Sequence, residues 1–479
     1  MSKRLYEASW SSLRLHSMVP RWLDEGKFGI YTHWGVYSVP ACGPNGSWYP
    51  YNMYREGTQQ YEYHVQHYGH PSKFGYKDFI PMFKAEKFDP DEWAELFKAA
   101  GAKFAGPVAE HHDGFSMWDS EVNEWNAARM GPQRDVVGEL EKAIRKQGMK
   151  FMVAFHHAEN WWFYPHWRKE FDTSDPKYSG LYGPIHNQDA DHDLEWEEQD
   201  PPTREFLEKW KAKIKEVIDK YRPDLIWFDF GLQFVPDKYK QEILAYYFNK
   251  AEEWNMEVTI CYKGHSVPPG FGIVDYELGR ESELTYHRWI TDTDIAIGGR
   301  WSYIYGIEYK STTWLIHYLI DNVSKNGYLL LNVGPKANGE IPEPAKKRLL
   351  EMGEWLKLNG EAIYGTSPWV TYGEGPTKMK LRGTFTEREE VFYTAEDIRF
   401  TTKGNVIYAI LLGWPGNGEE VTIKTFRWLH RFNRKTISSV SMLGIDGELQ
   451  WNLTDKGLKV KMPSQKPCEH AYVLKIQRE

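Results

Sequence analysis

Six apolar runs in the first part of the chain end in polar groups of the kinds that cleave sugars or bind metals. His33 and Trp34 follow KFGIYT, and Glu110, His111, His112 and Asp113 follow KFAGPVA. His156, His157 and Glu159 follow KFMVAF, and Trp227 and Asp229 close DLIWFD. Lys263 and His265 follow VTICY, and Asp275, Glu277 and Arg280 follow GIV. Two chemistries fit such a set. Histidines with carboxylates can hold a hydrolytic zinc ion. Alternatively, two carboxylates can hydrolyse a glycoside while His, Trp, Arg and Lys hold the hydroxyls and stack on the ring. The histidine spacing argues against metal. His111 and His112 are adjacent, as are His156 and His157, and strand neighbours point to opposite faces. The H-x-H and H-E-x-x-H patterns are absent, so no metal ligand is assigned. Asp229 ends an apolar run, where an ionised carboxylate costs several kcal/mol unless paired or hydrogen-bonded. It is either one of a working pair or half of a structural salt bridge.

These groups share one mouth only if the runs are strands of one barrel. The runs lack polar alternation, as strands buried on both faces should. They are Phe28–Gly35, Lys103–Glu110, Lys150–His156, Asp224–Asp229, Val258–Tyr262, Ile273–Glu277 and Tyr328–Val333, with another strand at Asp294–Ala296 or Trp301–Tyr305. Helical patterns intervene, one opening at Asp89-Pro90 with Asp89 as N-cap and Pro90 at N1. Others lie at Arg134–Gln147, Pro202–Tyr221, up to Trp254, Thr312–Ser324 and Pro344–Leu358. Eight strands with such helices predict an α/β fold, a (β/α)8-like (TIM) barrel over residues 1–365. The sixth and seventh units lack a clear helix, so irregularity is expected there. Beyond, the pattern changes to short β-rich runs at Val391–Tyr393, Val406–Leu412, Glu420–Ile423 and Ala471–Ile476. Turn pairs Pro415-Gly416 and Asp446-Gly447 separate them, predicting an all-β sandwich over residues 366–479.

The bulk numbers narrow the partners. Lys plus Arg is 59 against 67 Asp plus Glu, a net charge of −8, which disfavours nucleic acid. No run is apolar and long enough to span a membrane. Three cysteines at wide spacing make neither a disulfide framework nor a zinc signature. The N-terminus lacks the apolar core of a signal peptide, so a cytoplasmic setting is expected. The 22 Trp, 30 Tyr and 23 Phe exceed what packing alone requires, which suits carbohydrate binding and leans toward a homo-oligomer. The acidic run Asn187–Asp200 reads as a solvated loop.

Read together, the motifs KFGIYTHWGVYSVP, HHDGF, DLIWFDFG, RWSY, VSKNGYLLLNVGP and GEWLKLNGEAIYGT make the chain resemble the α-L-fucosidases of glycoside hydrolase family 29. The likeness spans about residues 10–370, and the β-rich tail fits the family's C-terminal sandwich. It implies a retaining exo-α-L-fucosidase acting on fucosylated oligosaccharides or glycoconjugates without cofactor or metal. The family's nucleophile falls on Asp229. His33, His111, His112, His157 and Trp227 fall on residues that line the fucose site, and Trp301 on the aromatic that packs against the C5 methyl. Trp48 lies in a motif that often begins with Glu, here Ser47. The resemblance favours Glu277 as acid/base, with Asp275, Glu281 and Glu283 as competitors, and gives Lys263 a substrate-facing place. The insertion Cys42–Asp78, with Trp48, Tyr49, Tyr51 and Tyr54, either shapes the leaving-group side or packs a loop or subunit interface. Two other activities stay open: a non-catalytic fucose-binding protein on the same barrel, and a glycosidase or transglycosylase for a related sugar.

Overall fold

The computed structural model describes residues 5–186, 201–387, 391–427 and 436–479, so the acidic run Asn187–Asp200 lies outside the described residues. Eight parallel strands close into a barrel in sequence order. They are β1 (Phe28–Thr32), β2 (Phe104–Glu110), β3 (Lys150–Phe155), β4 (Leu225–Phe228), β5 (Thr259–Lys263), β6 (Ile273–Asp275), β7 (Trp289–Asp294) and β8 (Gly327–Val333). Close strand approach is built in at Gly106, where an added Cβ would lie 1.7 Å from the Met152 carbonyl of β3.

The helices flank the barrel as α1 (Pro90–Ala99), α2 (Val136–Lys146), α3 (Arg204–Tyr221), α4 (Asp237–Trp254), α5 (Thr312–Ser324) and α6 (Glu343–Asn359). Asp89 caps α1 by accepting from the Asp91 and Glu92 backbone N–H groups, with Pro90 at the first turn. No helix follows β5 or β6, while α5 follows β7. The barrel is thus irregular around β6, and the expected helix Thr312–Ser324 stands after β7. The seventh strand is corrected: it is Trp289–Asp294 rather than Asp294–Ala296 or Trp301–Tyr305.

Alternation along each strand sorts the core into two layers. Tyr31, Met152, Ala154, Leu225, Trp227, Cys261, Ile273, Ile290 and Leu330 fill the barrel interior. Their neighbours Ile30, Phe151, Val153, Ile226, Phe228, Ile260 and Leu331 face the helices. Continuing each inward series by two residues reaches His33, His156, Asp229, Lys263, Asp292 and Asn332 at the carboxyl ends, and Asp275 leads on to Glu277. The interior is thus an apolar plug with a polar cap.

The C-terminal region forms two antiparallel sheets. One has the order β13 (Ile437–Met442), β16 (Tyr472–Arg478), β11 (Val406–Leu411), β10 (Ile398–Lys403), β9 (Ser367–Glu374). The other is β12 (Glu420–Ile423), β15 (Gly457–Lys461), β14 (Trp451–Thr454). Val391–Tyr393, expected as a strand, is an irregular segment in which the Tyr393 ring packs against His317 of α5. An ion cluster ties this region to the barrel. Asp321 and Lys325 at the end of α5 are 2.8 Å apart, and Arg399 of β10 reaches Asp321 at 2.6 Å, all three fully buried.

Candidate active site

Asp229 follows β4 directly and its carboxylate stands in the barrel mouth. The His156 Nδ1–H donates to its Oδ2 at 2.7 Å, and His112 Nε2 lies 3.5 Å from the same oxygen. Hydrogen bonds fix the tautomers of three imidazoles. His33 Nδ1 donates to Asn332 Oδ1 at 2.9 Å, His112 Nδ1 to the His156 carbonyl at 2.9 Å, and His156 Nδ1 to Asp229. Each therefore carries a bare Nε2 lone pair. Burial keeps the three neutral: His33 and His112 are pushed down to about 4, and His156 well below its ordinary value. His111 is also buried and neutral, stacked on His156 with ring centroids 4.4 Å apart. Neutral rings with exposed lone pairs are acceptors for hydroxyl protons.

Across the mouth, Glu277 follows β6. Lys263 Nζ donates to Glu277 Oε2 at 3.0 Å and to Asp292 Oδ1 at 2.7 Å. Burial pushes Glu277 up to about 8 against the pull of the Lys263 ammonium, with the charges of Asp292 and Asp229 adding to the rise. Lys263 is itself held above its ordinary value: burial opposes its charge, but Asp292, Glu277 and Asp275 outweigh that. Asp292 also accepts from the Tyr31 hydroxyl at 2.8 Å. Two carboxyl groups with opposed surroundings thus face one space, the condition for dividing acid and base roles.

That space is a cavity of about 290 Å³. His33, His111, His112, His156, Trp227 and Asp229 line its inner part, and Trp48, Phe230, Glu277, Leu278, Trp301 and Phe385 its walls. Trp301 sits in the left-handed backbone region at φ 55°, its N–H held by Asp294 Oδ2 at 2.8 Å, with its ring 5.3 Å from that of His33. Trp48 packs edge-on against His112 at 5.2 Å. Its neighbours Tyr49 and Tyr54 are fully buried and bond to His64 and Asp172, so they pack the insertion while Trp48 alone of the four reaches the cavity.

The sequence-based choices differ from the structure at two substrate-facing residues, His157 and Lys263, and at the acid/base competitors. Lys263 is fully buried, engaged with Glu277 and Asp292, and does not line the cavity. His157 does not face the cavity. It points outward, where its ring stacks on Trp210 of α3 at 6.0 Å and lines a separate space of about 80 Å³ with Glu110 and Lys213. His156 continues the inward series of β3, and the chain then turns into a short 3-10 helix, His157–Glu159, that carries the next ring to the α3 side. His111 and His112 follow the end of β2 at Glu110, and there both rings reach the cavity. Asp275 is sealed beneath the site, accepting from Trp227 Nε1 and the Asp292 backbone N–H. Glu281 and Glu283 do not line the cavity. The sequence reading placed His156 and Glu159 among the groups that follow the third strand without giving either a role, and it did not single out Asp292 or Phe385. Glu159 is buried and lines the same cavity as Asp229, and burial together with the Asp229 and Glu277 charges holds its carboxyl well above the usual range. Its Oε2 lies 3.1 Å from His112 Nδ1.

Two groups, His33 with His111 and His156, and His112 with His156 and Asp229, bring their ligand atoms within 4.8 Å and could geometrically hold a cation. His33, His112 and His156 offer their bare Nε2 atoms to this space, so a cation there would draw on those same lone pairs.

Comparison with known proteins gives this cavity a context. The family model described as Alpha-L-fucosidase matches residues 1–361, and that described as Alpha-L-fucosidase C-terminal domain matches residues 389–477. The tissue alpha-L-fucosidase of Homo sapiens is 32% identical, aligned over 99% of this chain and 92% of its own length. The plasma alpha-L-fucosidase of Homo sapiens is 31% identical, over 98% of this chain and 92% of its own. The crystal structure of Thermotoga maritima alpha-fucosidase in complex with fucose superposes with a TM-score of 0.75 at 31% identity, covering 98% of this chain and 100% of that one. The stretch between the two model matches contains Phe385.

Proposed function

The chain belongs to the α-L-fucosidase family, and on that premise we propose that it removes terminal α-L-fucosyl residues by double displacement, with Asp229 as nucleophile and Glu277 as acid/base. It is a glycoside hydrolase, and its substrates are fucosylated glycans. With Oδ2 held by His156, the attacking atom is Asp229 Oδ1. It bonds to the anomeric carbon as the glycosidic C–O bond breaks, and Glu277 gives its proton to the departing oxygen. The fucosyl ester of Asp229 then meets water. Glu277 takes a proton from that water, whose oxygen bonds to the anomeric carbon and frees Asp229. Two inversions leave the configuration retained.

Recognition follows from the inner histidines and the ring walls. The Nε2 lone pairs of His33, His112 and His156 accept the protons of the sugar hydroxyls. Trp301 offers an apolar face to a methyl group, where a hydroxymethyl would lose hydrogen bonds with water. No metal takes part in this cycle.

The observation that carries the reading is the paired environment: Asp229 accepting an imidazole N–H, and Glu277 pushed up to about 8 in the same cavity. The test compares two variants on aryl fucosides of graded leaving group. Asp229→Ala should lose about 10⁴-fold or more of kcat on every substrate. Glu277→Ala should lose about 10²–10⁴-fold on poor leaving groups and much less on good ones. Early-time NMR of wild-type product should show the α-anomer first. A fully active Asp229→Ala variant would end the assignment, and so would a β-anomer product.

A further inference from the structure

The cavity wall beside the acid/base is not all barrel. Residues 383–387 belong to the connection between β9 and β10, yet they pair with the backbone that follows β6. Gly383 N–H donates to the Arg280 carbonyl at 2.7 Å and Arg280 N–H to the Gly383 carbonyl at 3.2 Å. Phe385 N–H donates to the carbonyl of Glu277 itself at 2.7 Å, and Glu387 N–H to that of Leu278 at 2.9 Å. Glu387 is anchored in turn by Lys310 Nζ at 2.7 Å and by the Thr293 hydroxyl of β7.

This clamp holds Phe385 in an unusual state. Its φ is 58°, a left-handed conformation that bulky residues seldom adopt. The residue is 49% exposed although it borders the cavity. Its ring lies nearly parallel to that of Phe230, at 25° with centroids 6.4 Å apart. Phe230 is the residue next to the nucleophile. Burial of the ring therefore does not explain the strained backbone, whereas presentation of a flat apolar face at the mouth does.

We infer that Phe385, with Phe230 and Leu278, forms the leaving-group subsite, and that its occupant is the apolar face of a pyranose ring attached to fucose. The inference rests on the fucosidase reading above. Protonation by Glu277 requires the glycosidic oxygen next to that carboxyl. The group attached to the oxygen must then leave the cavity on the side of Glu277, where Leu278 and Phe385 adjoin it. Phe230, Leu278 and Phe385 are apolar, so they discriminate by shape and stacking. A sugar C–H face and an aryl ring share that chemistry.

The test uses three substrates: α-L-fucosyl fluoride, which has no ring in the leaving group, a fucosyl-galactose disaccharide, and nitrophenyl α-L-fucoside. The readout is the kcat/KM ratio of each ring-bearing substrate to the fluoride. Phe385→Ala should lower the disaccharide ratio about five- to tenfold, and Phe385→Tyr should restore it. Phe385→Leu keeps apolar bulk without a flat face and should behave like alanine, which preserves the test if the alanine variant folds poorly. An unchanged disaccharide ratio in both the Ala and Leu variants would overturn the inference. So would a fall confined to the nitrophenyl substrate, since that assigns the wall to aryl groups. Wild-type protein that cleaves none of the three would overturn the fucosidase reading, and this inference with it.

Discussion

At the scale of single residues, Glu277 and Asp292 share one lysine. Lys263 Nζ lies 2.7 Å from Asp292 and 3.0 Å from Glu277. The charge of Asp292 raises the Glu277 pKa, while that of Lys263 lowers it. In the proposed role of general acid, Glu277 must be protonated to work. Its raised pKa of about 8 therefore sets the alkaline limb: kcat/KM falls as pH rises through that value. Asp292→Asn removes one charge that raises the pKa and frees the lysine from its nearest carboxylate, leaving Glu277 as its closest partner. Both effects favour the ionised form, so the alkaline limb should move to lower pH. Glu277→Gln should abolish the limb. A pH profile of kcat/KM on an aryl fucoside reads both, and a limb displaced upward in Asp292→Asn would contradict the arrangement.

At the scale of elements, the two neighbours after β3 give the sharpest contrast. His156 holds Asp229, whereas His157 packs on Trp210. His156→Ala should cost about 10–10²-fold in kcat/KM, the worth of a hydrogen bond to a charged group. His157→Phe keeps a flat ring against Trp210 and should keep kcat/KM within a few-fold of wild type, since His157 does not line the cavity that holds Asp229. Equal losses would mean that the two rings after β3 do not face opposite sides as described. Strand burial explains what was legible in the sequence. Strands buried on both faces read as apolar runs, so β1 to β6 and β8 were visible, and Asp229, Glu277 and Lys263 stood at their ends. Strand β7 reads WITDTD, because Asp292 and Asp294 bond across the polar mouth to Lys263, Tyr31, Asn332 and the Trp301 backbone. A strand whose inward face is mostly hydrogen-bonding groups has no apolar signature, so β7 and Asp292 stayed hidden. Phe385 was invisible for another reason. Its place depends on backbone pairing between segments about a hundred residues apart, which no local pattern encodes.

At the scale of the whole molecule, the C-terminal sheets are part of the catalytic unit through two links. One is the 383–387 clamp on the Glu277 backbone. The other is the buried cluster in which Arg399 of β10 reaches Asp321 and Lys325 of α5. Burial alone would raise the Asp321 carboxyl, but Lys325 and then Arg399 bring it below its ordinary value. Its ionised form therefore adds stability above the unfolded pKa, and that stability is lost as pH falls through the lower folded value. Arg399→Met keeps much of the side-chain volume but removes one cation from the buried carboxylate. Breaking such a pair costs about 3 kcal/mol, reduced here to the extent that Lys325 still serves Asp321. Because α5 precedes β8 and β9 follows α6, the loss should be felt by both parts together. The expected result is one cooperative melting transition, lower by several degrees than in wild type, with activity and C-terminal fluorescence lost at the same temperature. Two separated transitions in the variant would show that the sheets hold the barrel only loosely, and would leave the clamp at Glu277 without the support this packing gives it.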